Sequence, residues 1–222
     1  MKVSRKNVCI TITHQRRSEM SNFKKHNPKI NRYAQKSPDN LKHVIMMVVL
    51  SIKMPWYQVG NQMQDYMKKG MRSRFVWGNK KKTLRYLNSN SVALYDESMA
   101  ALKQCKGSKL DIRLMDIFLK VDGLGLAKAG FVCQLFAGRV GCIDTHNQRR
   151  LKGGEAIGNL SVTGKEQLPK RLAKIELYVN FCKKRRCSWL WDSWCNLIWV
   201  QNPKRFKSAK EVSEVHYSYL PR

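Results

Sequence analysis

From Leu41 onward, apolar residues recur at helical spacing along most of the chain. No segment shows a convincing alternation of apolar and polar residues, so no strand is predicted. The first predicted helices lie at residues 41–54, after Pro55, near 81–88, near 92–105 and at Leu110–Lys120. We therefore expect an all-α fold.

Two further helices are predicted near the C-terminus. The letters "TGKE" at Thr163–Glu166 have capping-box spacing. They precede an apolar stripe that should face the core, formed by Leu168, Leu172, Ile175, Val179 and Cys182. The later segment "SWLWDSWCNLIWV" is apolar almost all round, with Asp192 as its only charge, and it should be buried.

The distribution of charge suggests three regions. The whole chain of 222 residues has a formal net charge of +28, which makes nucleic acid the expected partner and an anionic membrane surface the competitor. Residues 1–43 contain eleven basic and two acidic side chains, with Pro28 and Pro38 as helix breaks. We predict a flexible basic arm at residues 1–40, a helical domain at 41–205 and a tail at 206–222.

Several classes of protein fit the sequence poorly. The longest apolar run, "VIMMVVL" at Val44–Leu50, is far shorter than the roughly 20 residues of a membrane span, and a core helix explains it better. The first twenty residues do not resemble a secretory signal, so an intracellular protein is expected. Seven cysteines without a CxxC pair argue against a disulfide framework or a zinc site. The cluster of Cys182, Cys187 and Cys195 is better explained by buried thiols than by a metal, so no metal and no cofactor are expected.

The segment "VDGLGLAKAGFVCQLFAGRVGCIDTHNQRRL" contains the most informative pattern. Gly123 and Gly125 allow a tight turn between two helices, and Leu124 can fill the gap between them. The second helix then presents its N-terminal N–H groups to the group beyond the turn, which we expect to be a phosphate in so basic a protein. An ordinary helix–helix turn is the alternative. Asp144 precedes "THNQRR" and can act as a helix N-cap, as a catalytic carboxylate, or as both.

"GLGLAKAG" followed by "CIDTHNQRR" resembles the two motifs of the helix-hairpin-helix DNA glycosylase superfamily, the endonuclease III type. The resemblance is clearest over residues 110–152. It implies a glycosylase-like helical fold, phosphate contacts at the Gly123–Gly125 hairpin and a catalytic Asp144. His146 is a candidate proton carrier, and a structural or phosphate-contacting histidine is the alternative. Lys128, Arg149 and Arg150 are candidate DNA contacts.

The chain departs from this family at two points. Relatives that also cut the sugar–phosphate backbone have a lysine where this chain has Ala127, and Lys128 is expected to point elsewhere because one helical residue turns the side chain by about 100°. Schiff-base lyase activity is therefore not expected. The cysteine spacing after Cys182 also does not match the iron–sulfur loop of many relatives.

"GLGLAKAGFV", "CIDTHN" and "LWDSWCNLI" are most similar to a phage branch of this superfamily, the alpha-glutamyl/putrescinyl-thymine pyrophosphorylases and the helical domain associated with hydroxymethyluracil DNA kinases. This resemblance implies thymine hypermodification, in which an amine displaces pyrophosphate from a modified thymine in DNA. It also implies a hydroxymethyluracil DNA kinase as partner and, for a phage protein, the cytoplasm of an infected bacterium. A monofunctional DNA glycosylase and a non-catalytic DNA-binding or packaging protein are the alternatives.

A basic segment between residues 68 and 86 suggests a surface for DNA independently of any family. It has no acidic residue and interleaves cations with aromatic rings, as phosphate neutralisation and base stacking require. A solvated loop with core aromatics is the alternative. The candidate contacts are Lys68, Lys69, Arg72, Arg74, Trp77, Lys80, Lys81 and Lys82. We expect a monomer that binds double-stranded DNA with a flipped or modified base.

Overall fold

The computed structural model describes residues 28–54, 56–162 and 166–221. Eleven α-helices and three short 3₁₀ helices form within these ranges, and no strand occurs in them, which confirms the all-α fold class. The helices are α1 (Pro28–Ala34), α2 (Pro38–Leu50), α3 (Val59–Lys69), α4 (Asn79–Gln104), α5 (Gly107–Leu119), α6 (Leu126–Ala137), α7 (Thr145–Arg150), α8 (Gly154–Gly158), α9 (Leu168–Lys184), α10 (Leu190–Gln201) and α11 (Ala209–Ser218). The 3₁₀ helices are Trp56–Gln58, Gly70–Arg72 and Cys187–Trp189.

Helix α2 lies at the centre of the core. Every side chain from Val44 to Leu50 is at most 3% exposed, and α2 contacts α1, α3, α4 and α6. A helix that is covered on all sides must be apolar all round, which explains the run "VIMMVVL". The prediction of a core helix at this position is confirmed.

Residues 28–40 belong to the folded domain, which corrects the predicted arm. Helix α1 buries Ile30 and Ala34 completely, and the side-chain amide of Asn31 donates to the backbone oxygens of Gln134 (3.2 Å) and Leu135 (2.6 Å) in α6. Sequence reasoning missed α1 because seven residues are too short to show a reliable apolar period. The rest of the predicted arm, residues 1–27, lies outside the described residues.

The two prolines that suggested a flexible segment mark the starts of helices. Helix α1 begins at Pro28 and α2 begins at Pro38. Proline is favoured at the first helical position because its missing N–H would have no intrahelical partner there. Ser37 caps α2, and its hydroxyl accepts from the N–H of Asn40 at 3.2 Å.

Helix α4 is one helix of 26 residues where the sequence predicted two. The polar run "NSNS" after Leu87 has weak helix propensity. Leu87 and Leu94 lie two turns apart on the same face, and both are buried in the core. The side chain of Asn90 donates to the backbone oxygen of Tyr86 at 2.9 Å, one turn earlier. Packing against α2 and α5 therefore overrides the local preference for a break.

The C-terminal segments differ in part from the predictions. Residues 206–222 were expected to form a tail, but α11 packs against α10, and Phe206, Val212 and Leu220 are buried in this region. Helix α9 begins at Leu168 with Gln167 at its N-cap, after the predicted capping box. Thr163–Lys165 of that box lie outside the described residues.

The apolar stripe of α9 is buried from Ile175 onward, whereas Leu168 is exposed. The stripe prediction therefore fails only in the first turn of the helix. Helix α10 is less enclosed than predicted. It buries Trp191, Asp192, Cys195 and Ile198, but Val200 is exposed.

Candidate active site

The predicted hairpin connects α5 to α6. Gly123 has a φ of +87°, and a Cβ there would lie 2.5 Å from the hydroxyl oxygen of Thr83 in α4. Leu124 is buried between the helices, as predicted, and Gly125 is the N-cap of α6. Glycine is required at residue 123 both by the positive φ and by the close approach of α4. The turn therefore lies beside the first residues of α4.

The start of α6 lines a cavity of about 340 Å³. Gly125 offers no side chain to cap the helix, so the first N–H groups of α6 have no capping side chain. Lys128 and Tyr178 line the same cavity. A cation and an uncapped helix N-terminus together favour an anion at this position.

Asp144 is the N-cap of α7, as predicted. Its carboxylate accepts from the N–H of Asn147 at 3.1 Å, and the Asn147 side chain donates to the backbone oxygen of Cys142 at 2.8 Å. Asp144 remains partly exposed. The cap uses only the Oδ1 atom of the carboxylate, so Asp144 can cap the helix and also take part in chemistry.

Tyr178 of α9 holds the strand-like segment that leads to Asp144. Its hydroxyl donates to the backbone oxygen of Gly141 at 2.9 Å and accepts from the N–H of Ile143 at 3.0 Å. The ring is fully buried, and burial raises the pKa of the phenol well above its usual value. One neutral hydroxyl thus satisfies two buried backbone groups directly before Asp144.

Asp144, Thr145 and His146 line a cavity of about 610 Å³, within the roughly 300–1,000 Å³ typical of small-molecule sites. His146 is exposed at this cavity. The residues from Ser51 to Met54, after α2, line another part of the cavity wall. The site therefore joins residues from distant parts of the chain.

Aromatic rings form another wall of the same cavity. The ring of Trp191 lies with its centroid 5.8 Å from Phe131 and 5.5 Å from Trp194, and His216 packs edge-on against both tryptophans at 5.0 Å. All four side chains line the cavity. Burial lowers the pKa of His216 to about 4, so its ring is neutral at pH 7. The wall is therefore aromatic and uncharged, with its rings tilted or edge-on to one another, and it suits an aromatic ligand.

Lys128 lines the Asp144 cavity, which corrects the expectation that it points elsewhere. Its ammonium also lies 5.8 Å from the centroid of Phe131. The side chain points about 100° away from Ala127 around the helix, and the Asp144 cavity lies on the Lys128 side. Lys53 lines the cavity as well, so two cations and one carboxylate share the site.

Most candidate cations of the basic segment are exposed. The exposed ones are Lys68, Lys69, Arg72, Arg74, Lys81 and Lys82. Trp77 is 45% exposed, as a stacking platform would require. Lys69 pairs with Asp65 at 2.8 Å on the surface. At the end of α7, Arg149 and Arg150 are also exposed.

Lys80 is the exception, because its side chain is buried. It is 2% exposed, and its ammonium donates to the backbone oxygen of Leu50 at 2.9 Å and lies over the ring of Trp77. Burial, with a further contribution from Lys128, lowers its pKa to about 8. Lys80 therefore holds the end of α2 beside the cavity and does not present its charge to solvent.

The residues that shape the cavity were not predicted from the sequence. Tyr178 lies three residues after Ile175 and could have been added to the stripe of α9. Trp191 and Trp194 have helical spacing, but the segment was treated only as core. Lys53 and His216 have no local signal, since only the fold brings them to Asp144.

The thiols near the site are buried. Cys142 lines the Asp144 cavity, and burial raises its pKa to about 12. Cys182, Cys187 and Cys195 are buried, as predicted. Within the described residues, no group of three or more histidine, cysteine, aspartate or glutamate side chains has the geometry to hold a metal ion.

Comparison of the chain with protein-family models, with curated proteins and with solved structures found no match. Of the helices that the structure describes, none combines the length and apolarity needed to cross a membrane.

Proposed function

We propose that this chain binds double-stranded DNA and modifies a base turned out of the helix, through a glycosylase-like arrangement of hairpin, helix and aspartate. The reaction that we propose is thymine hypermodification, in which an amine displaces pyrophosphate from the 5-methylene group of the base. The observation that carries the proposal is the cavity that combines Asp144 with Lys128 and a wall of aromatic rings.

Each part of this cavity has a role in the proposed reaction. The partly exposed rings of Phe131 and Trp194, which pack against the buried Trp191, provide stacking surface for an extruded base. The carboxylate of Asp144 accepts a proton from the attacking amine as the new carbon–nitrogen bond forms. The carbon–oxygen bond to pyrophosphate breaks at the same carbon, and the leaving group departs with its negative charge.

Lys128 and Lys53 favour hypermodification over base excision. A cation in the cavity stabilises a departing pyrophosphate, because charge develops on the leaving oxygens. In a glycosylase the sugar becomes positively charged in the transition state, and a nearby ammonium opposes that change. A hydroxymethyluracil DNA kinase would supply the phosphorylated base in the proposed pathway.

The test is to incubate the protein with duplex DNA that contains pyrophosphorylated hydroxymethyluracil and candidate amines, followed by mass spectrometry of the nucleosides. Asp144→Asn retains the ability to cap α7 but cannot accept a proton. We expect the rate of amine adduct formation to fall by about 10²-fold or more in this variant. Asp122→Asn is the matched control, because Asp122 is an exposed acid beside the hairpin that does not line the cavity.

Other outcomes identify the alternatives. A free base and an abasic site, formed on damaged or mismatched DNA, would identify a glycosylase. Trapping of a covalent complex by borohydride through Lys128 would indicate lyase chemistry. Tight DNA binding without any product would identify a non-catalytic DNA-binding protein, and equal rates for wild type and Asp144→Asn would remove Asp144 from the mechanism.

A further inference from the structure

Three segments of the chain meet at the end of the α5–α6 pair that lies opposite the hairpin. The guanidinium of Arg139, just after α6, donates to the backbone oxygen of Gly107 at 3.0 Å and pairs with Asp111. The ammonium of Lys183, at the end of α9, contacts the hydroxyl of Ser108 and lies 3.9 Å from the Asp111 carboxylate. The start of α5, the loop after α6 and the end of α9 are thus held together.

These segments form a concentrated basic region, which we call the distal basic surface. It consists of Lys106, Lys109, Arg139, Lys183, Lys184, Arg185 and Arg186. All but Arg139 are exposed. Asp111, the acid that these segments share, is buried and already paired with Arg139 and Lys183. The remaining positive charge of the surface therefore faces solvent.

The distal basic surface is separate from the hairpin. Helix α5 begins after Lys106 and ends shortly before Gly123, and its 13 residues span about 20 Å. Helix α9 runs antiparallel to α5, because Arg171 pairs with Asp116 (2.7 Å) whereas Lys183 reaches Asp111 near the other end. The distal basic surface and the hairpin therefore lie at opposite ends of the α5–α6 pair.

We propose that the distal basic surface binds the backbone of a second DNA duplex while the hairpin end holds the first. This inference depends on the DNA binding of the proposed function. A group of adjacent lysine and arginine side chains binds a polyphosphate more strongly than a weakly charged partner, because each phosphate that is neutralised releases a condensed counter-ion. A straight duplex that lies across the hairpin end, perpendicular to α5, does not reach the other end of this helix, about 20 Å away. In this orientation the partner of the distal basic surface is a different segment of DNA.

The test is a capture experiment with the full chain. Biotinylated duplex on beads is incubated with the protein and then with a fluorescent duplex of unrelated sequence, and the captured fluorescence is measured. The triple variant Lys109→Ala, Lys184→Ala, Arg185→Ala avoids the residues that pair with Asp111. Its matched control, Lys204→Ala, Lys207→Ala, Lys210→Ala, removes the same charge from exposed positions around the start of α11.

We expect the distal variant to capture about tenfold less second duplex than wild type at moderate salt, since each lost phosphate contact weakens binding by several-fold. Its affinity for a single duplex should change by less than about threefold, and the control should behave like wild type. Equal capture by the distal variant and wild type would overturn the proposal. An equal loss in capture and in single-duplex affinity would overturn it too, because one duplex would then span both regions.

Two further results separate this inference from the proposed function. If wild type binds a single duplex but captures no second one, the inference fails while the proposed function stands. If wild type binds no duplex at all, both fail. Capture of anionic lipid vesicles or of single-stranded RNA instead of duplex DNA, lost in the distal variant, would assign the surface to another partner and overturn the proposal.

Discussion

Tyr178→Phe tests whether the position of Asp144 depends on a single hydroxyl. The substitution leaves the buried ring in place but removes the partner of two buried backbone groups, the carbonyl of Gly141 and the N–H of Ile143. An unsatisfied buried group costs about 1–3 kcal/mol. We therefore expect the free energy of unfolding to fall by about 2–4 kcal/mol.

Urea denaturation followed by circular dichroism measures this change, provided that the slope of the transition stays constant. Tyr95→Phe is the matched control, because it removes one partly buried hydrogen bond, from Tyr95 to the backbone oxygen of Gln35 (2.7 Å). We expect that variant to lose about 1 kcal/mol. A loss in Tyr178→Phe no greater than in Tyr95→Phe would refute the argument.

The same variant should affect catalysis under conditions where it is still folded. Residues 141–143 lead directly into Asp144, so a shift of this segment displaces the carboxylate relative to the cavity. We expect the rate of base modification to fall by about tenfold or more in Tyr178→Phe, because small misplacements of reacting groups are costly. DNA affinity should be nearly unchanged, since Tyr178 is buried. A parallel loss of affinity and rate would instead indicate general unfolding.

Substitutions at Gly130, at Asp192 and at the pair Lys80 and Lys82 test other parts of the structure. Gly130→Ala should destabilise the fold by about 1–3 kcal/mol in urea denaturation, because its Cβ would lie 2.3 Å from the backbone oxygen of Gly141; a neutral effect would show that α6 can shift. Burial raises the pKa of Asp192 to about 7, so the folded chain retains a proton that the unfolded chain releases above about pH 4. Stability should therefore fall as the pH rises from 4 to 7, and thermal denaturation of Asp192→Asn should lack this dependence; an unchanged dependence would contradict the assignment. Lys82→Ala should reduce the slope of the logarithm of DNA affinity against the logarithm of salt concentration by about 0.9, the value for one phosphate contact. Lys80→Met should leave this slope unchanged and lower the stability of the fold. Equal slopes for the two variants would contradict the buried position of Lys80.

Features that depend on a few neighbouring residues could be predicted from the sequence. The positive φ of Gly123 and the buried position of Leu124 follow from the short turn between two apolar helices. The capping role of Asp144 follows from its position before a helical segment, because an N-cap needs only the N–H groups of the next turn. The core helix at Val44–Leu50 follows from uninterrupted apolarity.

Only the tertiary structure decided which distant residues share a site. Lys80 and Lys82 lie on the same basic run, but the packing of α4 against the end of α2 buries one and exposes the other. Trp191 and Lys53 join Asp144 in one cavity although the sequence places them far apart. Local sequence determines backbone conformation through neighbouring hydrogen bonds and sterics, whereas the environment of a side chain depends on which helices pack around it.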